Sequence, residues 1–205
     1  MVRCAITDTV HLNRDPQPQR GALLEAAKRW SAEGIELVQL RQKHLEAGAL
    51  LQLAEEMLGV IRSQTGSRTK LLVNGRADVA IAAAADGVHL TSHAGELTPE
   101  QVRCVFAYAG LAAPVVSISC HTLDDVARAR QKHADYILFG PVFEKRSGGE
   151  LIAPGSGLEL LAAACEQADR VPVLALGGIT LENTHACLES GAAGVAAIRL
   201  FQCES

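Results

Sequence analysis

Short apolar runs alternate with stretches of helical periodicity along the whole chain, and the cycle repeats eight times in 205 residues. This alternation marks a parallel sheet, because parallel neighbours need a crossover connection and a helix is the usual one. Strands are expected at residues 2–8, 36–42, 70–75, 87–91, 115–121, 136–143, 173–176 and 194–200. Helices are expected at 22–33, 47–62, 76–85, 98–109 and 158–168, with two more opening at Thr122 and Thr180. Local signals fit these limits. Gly34 stops the first helix, and Thr98-Pro99-Glu100-Gln101 combines a capping box with proline at the first helical position.

Eight βα cycles favour a closed (β/α)8 TIM barrel over an open doubly wound sheet, and 205 residues form one such domain. Residues 201–205 alone follow the last strand, so the final helix is expected to be missing or reduced to a turn. The resulting apolar seam between the first and last helices would suit a homodimer with an isologous interface. Residues 144–156 read as a long loop rich in Gly, Lys, Arg, Ser and Pro.

The formal net charge of -4 and 3% aromatic residues leave neither a basic stripe nor a stacking platform, which argues against nucleic acid as a partner. No apolar run reaches the roughly 18–20 residues that cross a bilayer, and residues 1–8 lack a signal peptide's apolar stretch. A soluble, cytoplasmic protein without membrane partners is expected. The six cysteines have no zinc-type spacing and read as buried free thiols. Cys120 directly precedes His121, but neighbours on a strand point to opposite faces, so the two should diverge. His89 and His93 stand four residues apart across a strand end and loop with no third ligand evident, and no metal site is expected.

In a barrel one face of each strand meets the helices and the other fills the interior. Val38 and Leu40 share one face of the second strand, and Gln39, Arg41 and Lys43 share the other. Leu72 and Asn74 share a face of the third, and Ser117, Ser119 and His121 a face of the fifth. Polar groups thus collect at the C-terminal mouth, where this fold carries its chemistry. Arg41 and Lys43 suit anionic substrate groups, and His121 suits acid–base work. Gly177-Gly178 after the seventh strand suits phosphate approach to helix N-terminal amides, with Ile198 and Arg199 at the end of the eighth strand as the other half of the grip. A side chain at Gly178 is expected to crowd the phosphate and leave the fold intact.

Ile6-Thr7-Asp8, Gln39-Leu40-Arg41-Gln42-Lys43, Asn74-Gly75-Arg76-Ala77-Asp78, Gly87-Val88-His89-Leu90, Ser119-Cys120-His121-Thr122, Phe139-Gly140-Pro141-Val142-Phe143 and Gly177-Gly178-Ile179, in this order, resemble the thiamine phosphate synthase and TenI superfamily over nearly the whole chain. The resemblance implies that Gln39, Arg41, Lys43, Asn74, Ser119 and Gly157 bind substrate, a phosphorylated thiazole. Synthases of this superfamily couple a pyrimidine diphosphate to a thiazole phosphate with magnesium, using an acid after the strand-three Asn, a second acid after strand four and a Thr-x-Thr-Lys segment after strand six. Gly75, about Ala94 and Lys145-Arg146-Ser147-Gly148 stand there instead. The TenI branch is similar at these departures, and its thiazole tautomerases shift a proton on a carboxythiazole phosphate with a histidine that maps onto His121. A TenI-like tautomerase needing no cofactor is the reading. The alternatives are a divergent thiamine phosphate synthase and a non-catalytic regulator that binds thiazole phosphate.

Overall fold

The computed structural model describes residues 1–8, 16–93, 95–147 and 150–201; of residues 16–18, 145–147 and 150–153 it describes the backbone alone. Eight parallel strands close into a barrel: β1 (Val2–Ile6), β2 (Leu37–Leu40), β3 (Lys70–Asn74), β4 (Gly87–Leu90), β5 (Val115–Cys120), β6 (Tyr136–Phe139), β9 (Val173–Leu176) and β10 (Gly194–Ala197). Between β6 and β9 the chain inserts β7 (Lys145–Ser147) and β8 (Glu150–Ala153), an antiparallel pair of its own. The expected loop at 144–156 therefore contains a hairpin. Its glycines mask any period-two pattern, which is why the sequence does not disclose it.

The connecting helices are α1 (Pro16–Ala32), α2 (Ala47–Ser63), α3 (Ala77–Ala82), α4 (Pro99–Tyr108), α5 (Leu123–Gln131), α6 (Gly157–Ala168) and α7 (Leu181–Glu189). The capping box at Thr98 is present, with the Gln101 amide donating to Thr98 Oγ1 (3.2 Å) and the Thr98 amide to Gln101 Oε1 (2.8 Å). Five helices end alike. After α1, α3, α4, α5 and α7, a residue with positive φ (Gly34, Ala84, Gly110, His133 or Gly191) donates back to the helix, and the next amide bonds the carbonyl one residue earlier in it. This Schellman closure satisfies two carbonyls that the helix itself cannot. It also explains why α3 stops at Ala82 rather than at 85: the chain must turn at Ala84 so that the Asp86 amide can bond Leu71 O at the start of β4.

Side chains divide by face. Ala5, Val38, Leu40, Val73, Val88, Ile118, Cys120 and Phe139 belong to the layer between strands and helices, while Cys4, Ile6, Leu37, Leu72, Leu138 and Leu174 fill the barrel. Cys120 thus turns outward, away from the barrel face. Cys4, Cys120 and Cys187 are buried, as expected, whereas Cys165 is half-buried and Cys104 exposed; Cys203 lies outside the described residues. Among the described residues no helix is long and apolar enough to cross a membrane.

After β10 a single 3-10 turn, Arg199–Phe201, takes the place of an eighth helix among the described residues. It lies against α1: Trp30, fully buried, donates its indole N–H to Phe201 O (2.7 Å), and Arg29 donates to the same oxygen (3.1 Å). Of the exposed large apolar side chains among the described residues, Leu97, Val105 and Tyr108 lie on or just before α4, Leu181 opens α7 and Met1 precedes β1. Trp30→Ala should cost about 3–5 kcal/mol in urea unfolding, since it opens a cavity and removes a donor. Trp30→Phe should cost about 1 kcal/mol if packing is kept and only the hydrogen bond is lost.

Candidate active site

The C-terminal ends of the strands gather most of the polar residues singled out from the sequence. Gln39, 2% exposed on β2, donates Nε2–H to Asn74 Oδ1 on β3 (2.8 Å). Among the described residues its own Oε1 is buried with no partner, an acceptor available to a ligand or water. One strand further round, His89 on β4 bonds Ser117 Oγ through Nδ1 and Ser119 Oγ through Nε2, each at 2.8 Å. Burial, and after it the charge of Arg41, push the His89 ring down to about 3. His89 is therefore a neutral, structured member of the barrel interior. Its alternation with Val88 and Leu90 on β4 is the sequence signal for an inward-facing side chain.

Strand β2 ends at Leu40, two residues short of the expected limit. The reason is Thr7: its Oγ1 accepts from the Arg41 amide (2.8 Å) and from Gln42 Nε2 (3.0 Å), so the chain bonds a side chain where a longer strand would bond its neighbour. Arg41 pairs with Asp8 (3.5 Å) at the rim. Lys43, expected on the inward face beside it, falls instead in an exposed turn closed by the Leu45 amide on Gln42 O.

His121 follows β5 directly and is exposed at the mouth. Its Nδ1 lies 2.5 Å from Gly140 O, and a carbonyl can only accept, so Nδ1 carries the hydrogen and a neutral ring keeps its lone pair on Nε2. The backbone is held as firmly. Asp125 Oδ2 accepts from the amides of His121 (3.0 Å) and Thr122 (3.1 Å), and Arg128 closes on the other oxygen. Burial pushes the Asp125 carboxyl up, but these donors outweigh it and hold it below the usual carboxylate range.

Two strands round the same rim, after β9, Gly177 and Gly178 have φ of 94° and 65°. The segment after β6 lies directly on them, with the Val142 amide bonding Leu176 O (2.8 Å) and the Phe143 amide bonding Gly177 O (3.1 Å). A Cβ on Gly178 would stand 2.7 Å from Phe143 Cβ and 2.9 Å from Glu144 O. The expectation that a side chain there spares the fold is corrected: both glycines are demanded by backbone conformation and packing whatever they bind. Asn183 joins this corner to α7, accepting from the Thr180 amide and donating to Gly178 O, both at 2.9 Å. Ile198 leans into the barrel interior, Arg199 opens the last turn, and Gly157, φ 83°, opens α6 with its amide on Val142 O (3.0 Å).

Magnesium prefers several carboxylate oxygens. Among the described residues no three His, Cys, Asp or Glu are grouped to hold a metal ion. Gly75 follows Asn74, Asp8 is paired with Arg41, and residue 94, itself outside the described residues, is alanine. The described residues of the mouth do not fit a magnesium–diphosphate site.

The family described as thiamine monophosphate synthase matches residues 8–201. This chain belongs to that family. A thiamine-phosphate synthase of Thermus thermophilus is 36% identical over 178 residues, covering 87% of this chain and 80% of that protein. One of Chlorobium luteolum is 33% identical over 202 residues, covering 96% and 83%. The solved structure of a thiamine phosphate pyrophosphorylase from Pyrococcus furiosus superposes with a TM-score of 0.75 at 26% identity, over 99% of this chain and 88% of that one. The family match spans every strand of the barrel except β1.

Because His89 is buried neutral, the unfolded chain binds its proton near pH 6.5 while the folded chain does not until about 3. Stability linked to His89 is thus full above about pH 6.5 and falls by about 1.4 kcal/mol per unit as pH drops below it. Denaturation followed from pH 7.5 towards pH 5 should show this slope in the wild type and a flatter one in His89→Gln.

Proposed function

We propose that this family member is an enzyme of thiamine biosynthesis that binds a thiazole phosphate in the barrel mouth and shifts a proton on its ring, with His121 as acid and base. The observation that carries this reading is the His121 ring: Gly140 O claims the Nδ1 hydrogen, which leaves an exposed Nε2 lone pair at the end of β5. An isomerisation needs a proton taken from one carbon and returned at another, and one imidazole can do both. Arg41 suits the substrate carboxylate, with Lys43 in the turn that follows it. The corner formed by Gly177, Gly178, Ile198 and Arg199 suits the phosphate, and Gln39, Asn74, Ser119 and Gly157 the remainder of the ligand.

A second reading has its own support. The relatives' names favour the thiamine phosphate synthase reaction over the tautomerase, a transfer that joins a pyrimidine diphosphate to the thiazole phosphate with loss of pyrophosphate. The absence of grouped carboxylates among the described residues weighs against it, because that leaving group is ordinarily neutralised by metal-bound carboxylates.

One set of assays separates the two. NMR of the protein mixed with the carboxythiazole phosphate tautomer should show isomerisation that survives EDTA, and coupling to pyrimidine diphosphate should be absent with excess magnesium. His121→Asn should slow the isomerisation by roughly 10²–10⁴-fold with little change in ligand affinity. Robust magnesium-dependent thiamine phosphate formation would replace the first reading with the second, and ligand binding with neither reaction would point to the regulator.

A further inference from the structure

His89 does nothing in the chemistry above, yet it occupies the centre of the barrel's polar layer. It is 3% exposed, and the neutral ring between Ser117 and Ser119 has one N–H and one lone pair. It must therefore donate to one serine and accept from the other.

Ser117 decides the direction. Its side chain is 1% exposed, and among the described residues its hydroxyl oxygen has no hydrogen-bond partner except His89 Nδ1. If Nδ1 carried the hydrogen, the Ser117 hydroxyl hydrogen would be buried without an acceptor, a penalised arrangement. Ser117 thus donates to Nδ1, and Nε2–H donates to Ser119 Oγ. Ser119 is half-buried and stands one step nearer the mouth on the same strand face, two residues before His121. Its oxygen is engaged from within, which leaves its hydrogen for the mouth.

We propose that His89 is a positioning residue that holds the Ser119 hydroxyl as a hydrogen-bond donor to the bound substrate, aimed at an acceptor atom conjugated to the carbon that loses its proton. This rests on the proton-shift reading. As the proton leaves that carbon for His121 Nε2, the electron pair of the broken C–H bond moves onto the conjugated carboxylate oxygen or ring nitrogen. A fixed donor there stabilises the charge as it develops. The proton then returns from His121 to the second carbon, and the Ser119 hydrogen stays on its own oxygen throughout.

Nitrogen NMR of histidine-labelled wild-type protein tests the first half without any assay of activity. The His89 ring should carry its hydrogen on Nε2 and show no titration from about pH 5.5 to about pH 8.5. A ring protonated on Nδ1, or one that titrates in that range, would overturn the proposal. Kinetics test the second half. Ser119→Ala should lower kcat of the proton shift about 10²-fold with KM nearly unchanged, and His89→Phe should match it. The double variant should lose little more than either, because the two residues act as one unit. His89→Gln can accept from Ser117 and donate to Ser119, and it should recover most of the loss. Additive losses, or an effect confined to KM, would reject the positioning role. A wild type with no proton-shift activity would remove the reading under Proposed function together with the substrate half of this proposal, while the spectrum still decides the tautomer of His89.

Discussion

Pairing of β1 with β10, from Val2 against Gly194 to Ala5 against Ala197, closes the sheet on itself and gives every strand one face that meets helices and one that meets only other strands. A side chain on the inner face has no route to solvent except through the two ends of the barrel. Polar groups there must satisfy each other or await a ligand. The inner face obeys this along its length. Leucines and Cys4 fill the middle, then Gln39 meets Asn74 and His89 meets two serines as the strands approach their C-terminal ends.

The loops at that end are built so that backbone amides are bound by side chains. Thr7 takes the Arg41 amide, Asp125 takes those of His121 and Thr122, and Asn183 takes that of Thr180. Each bond ends a strand or starts a helix at a defined residue and thereby fixes what the next side chain faces. His121 gains most, with backbone, ring hydrogen and flanking helix cap all tied down while the ring stays exposed. An imidazole held in this way needs no reorganisation before it takes up a proton.

Departures from the sequence reading share one cause, contact between residues distant in the chain. Gly34 announces the end of α1, whereas Ala84 and His133 make the same closure with no glycine to announce it, because tertiary packing supports a positive φ that their side chains disfavour. Lys43 breaks the strand alternation because Thr7, 36 positions earlier in the numbering, captures the backbone just before it. The two glycines after β9, which in sequence suit a phosphate grip, are the seat of the Val142 and Phe143 segment.

Periodicity was enough to establish eight strands, the helices between them, a closed barrel, and which of Val38, Gln39, Leu40 and Cys120 turn inward or outward, because those follow from the two-residue repeat of a strand and the geometry of closure. It was enough as well to place Asn74, Ser119 and His121 at one end of the barrel. Partnership was beyond it. That His89 bridges two serines, that His121 donates its Nδ1 hydrogen to Gly140 O, and that Trp30 and Arg29 share the Phe201 carbonyl are matters of hydrogen-bond distance between strands and loops far apart in the chain. Such contacts are specific to a few tenths of an ångström and leave no local pattern, so they exist only once the barrel has closed.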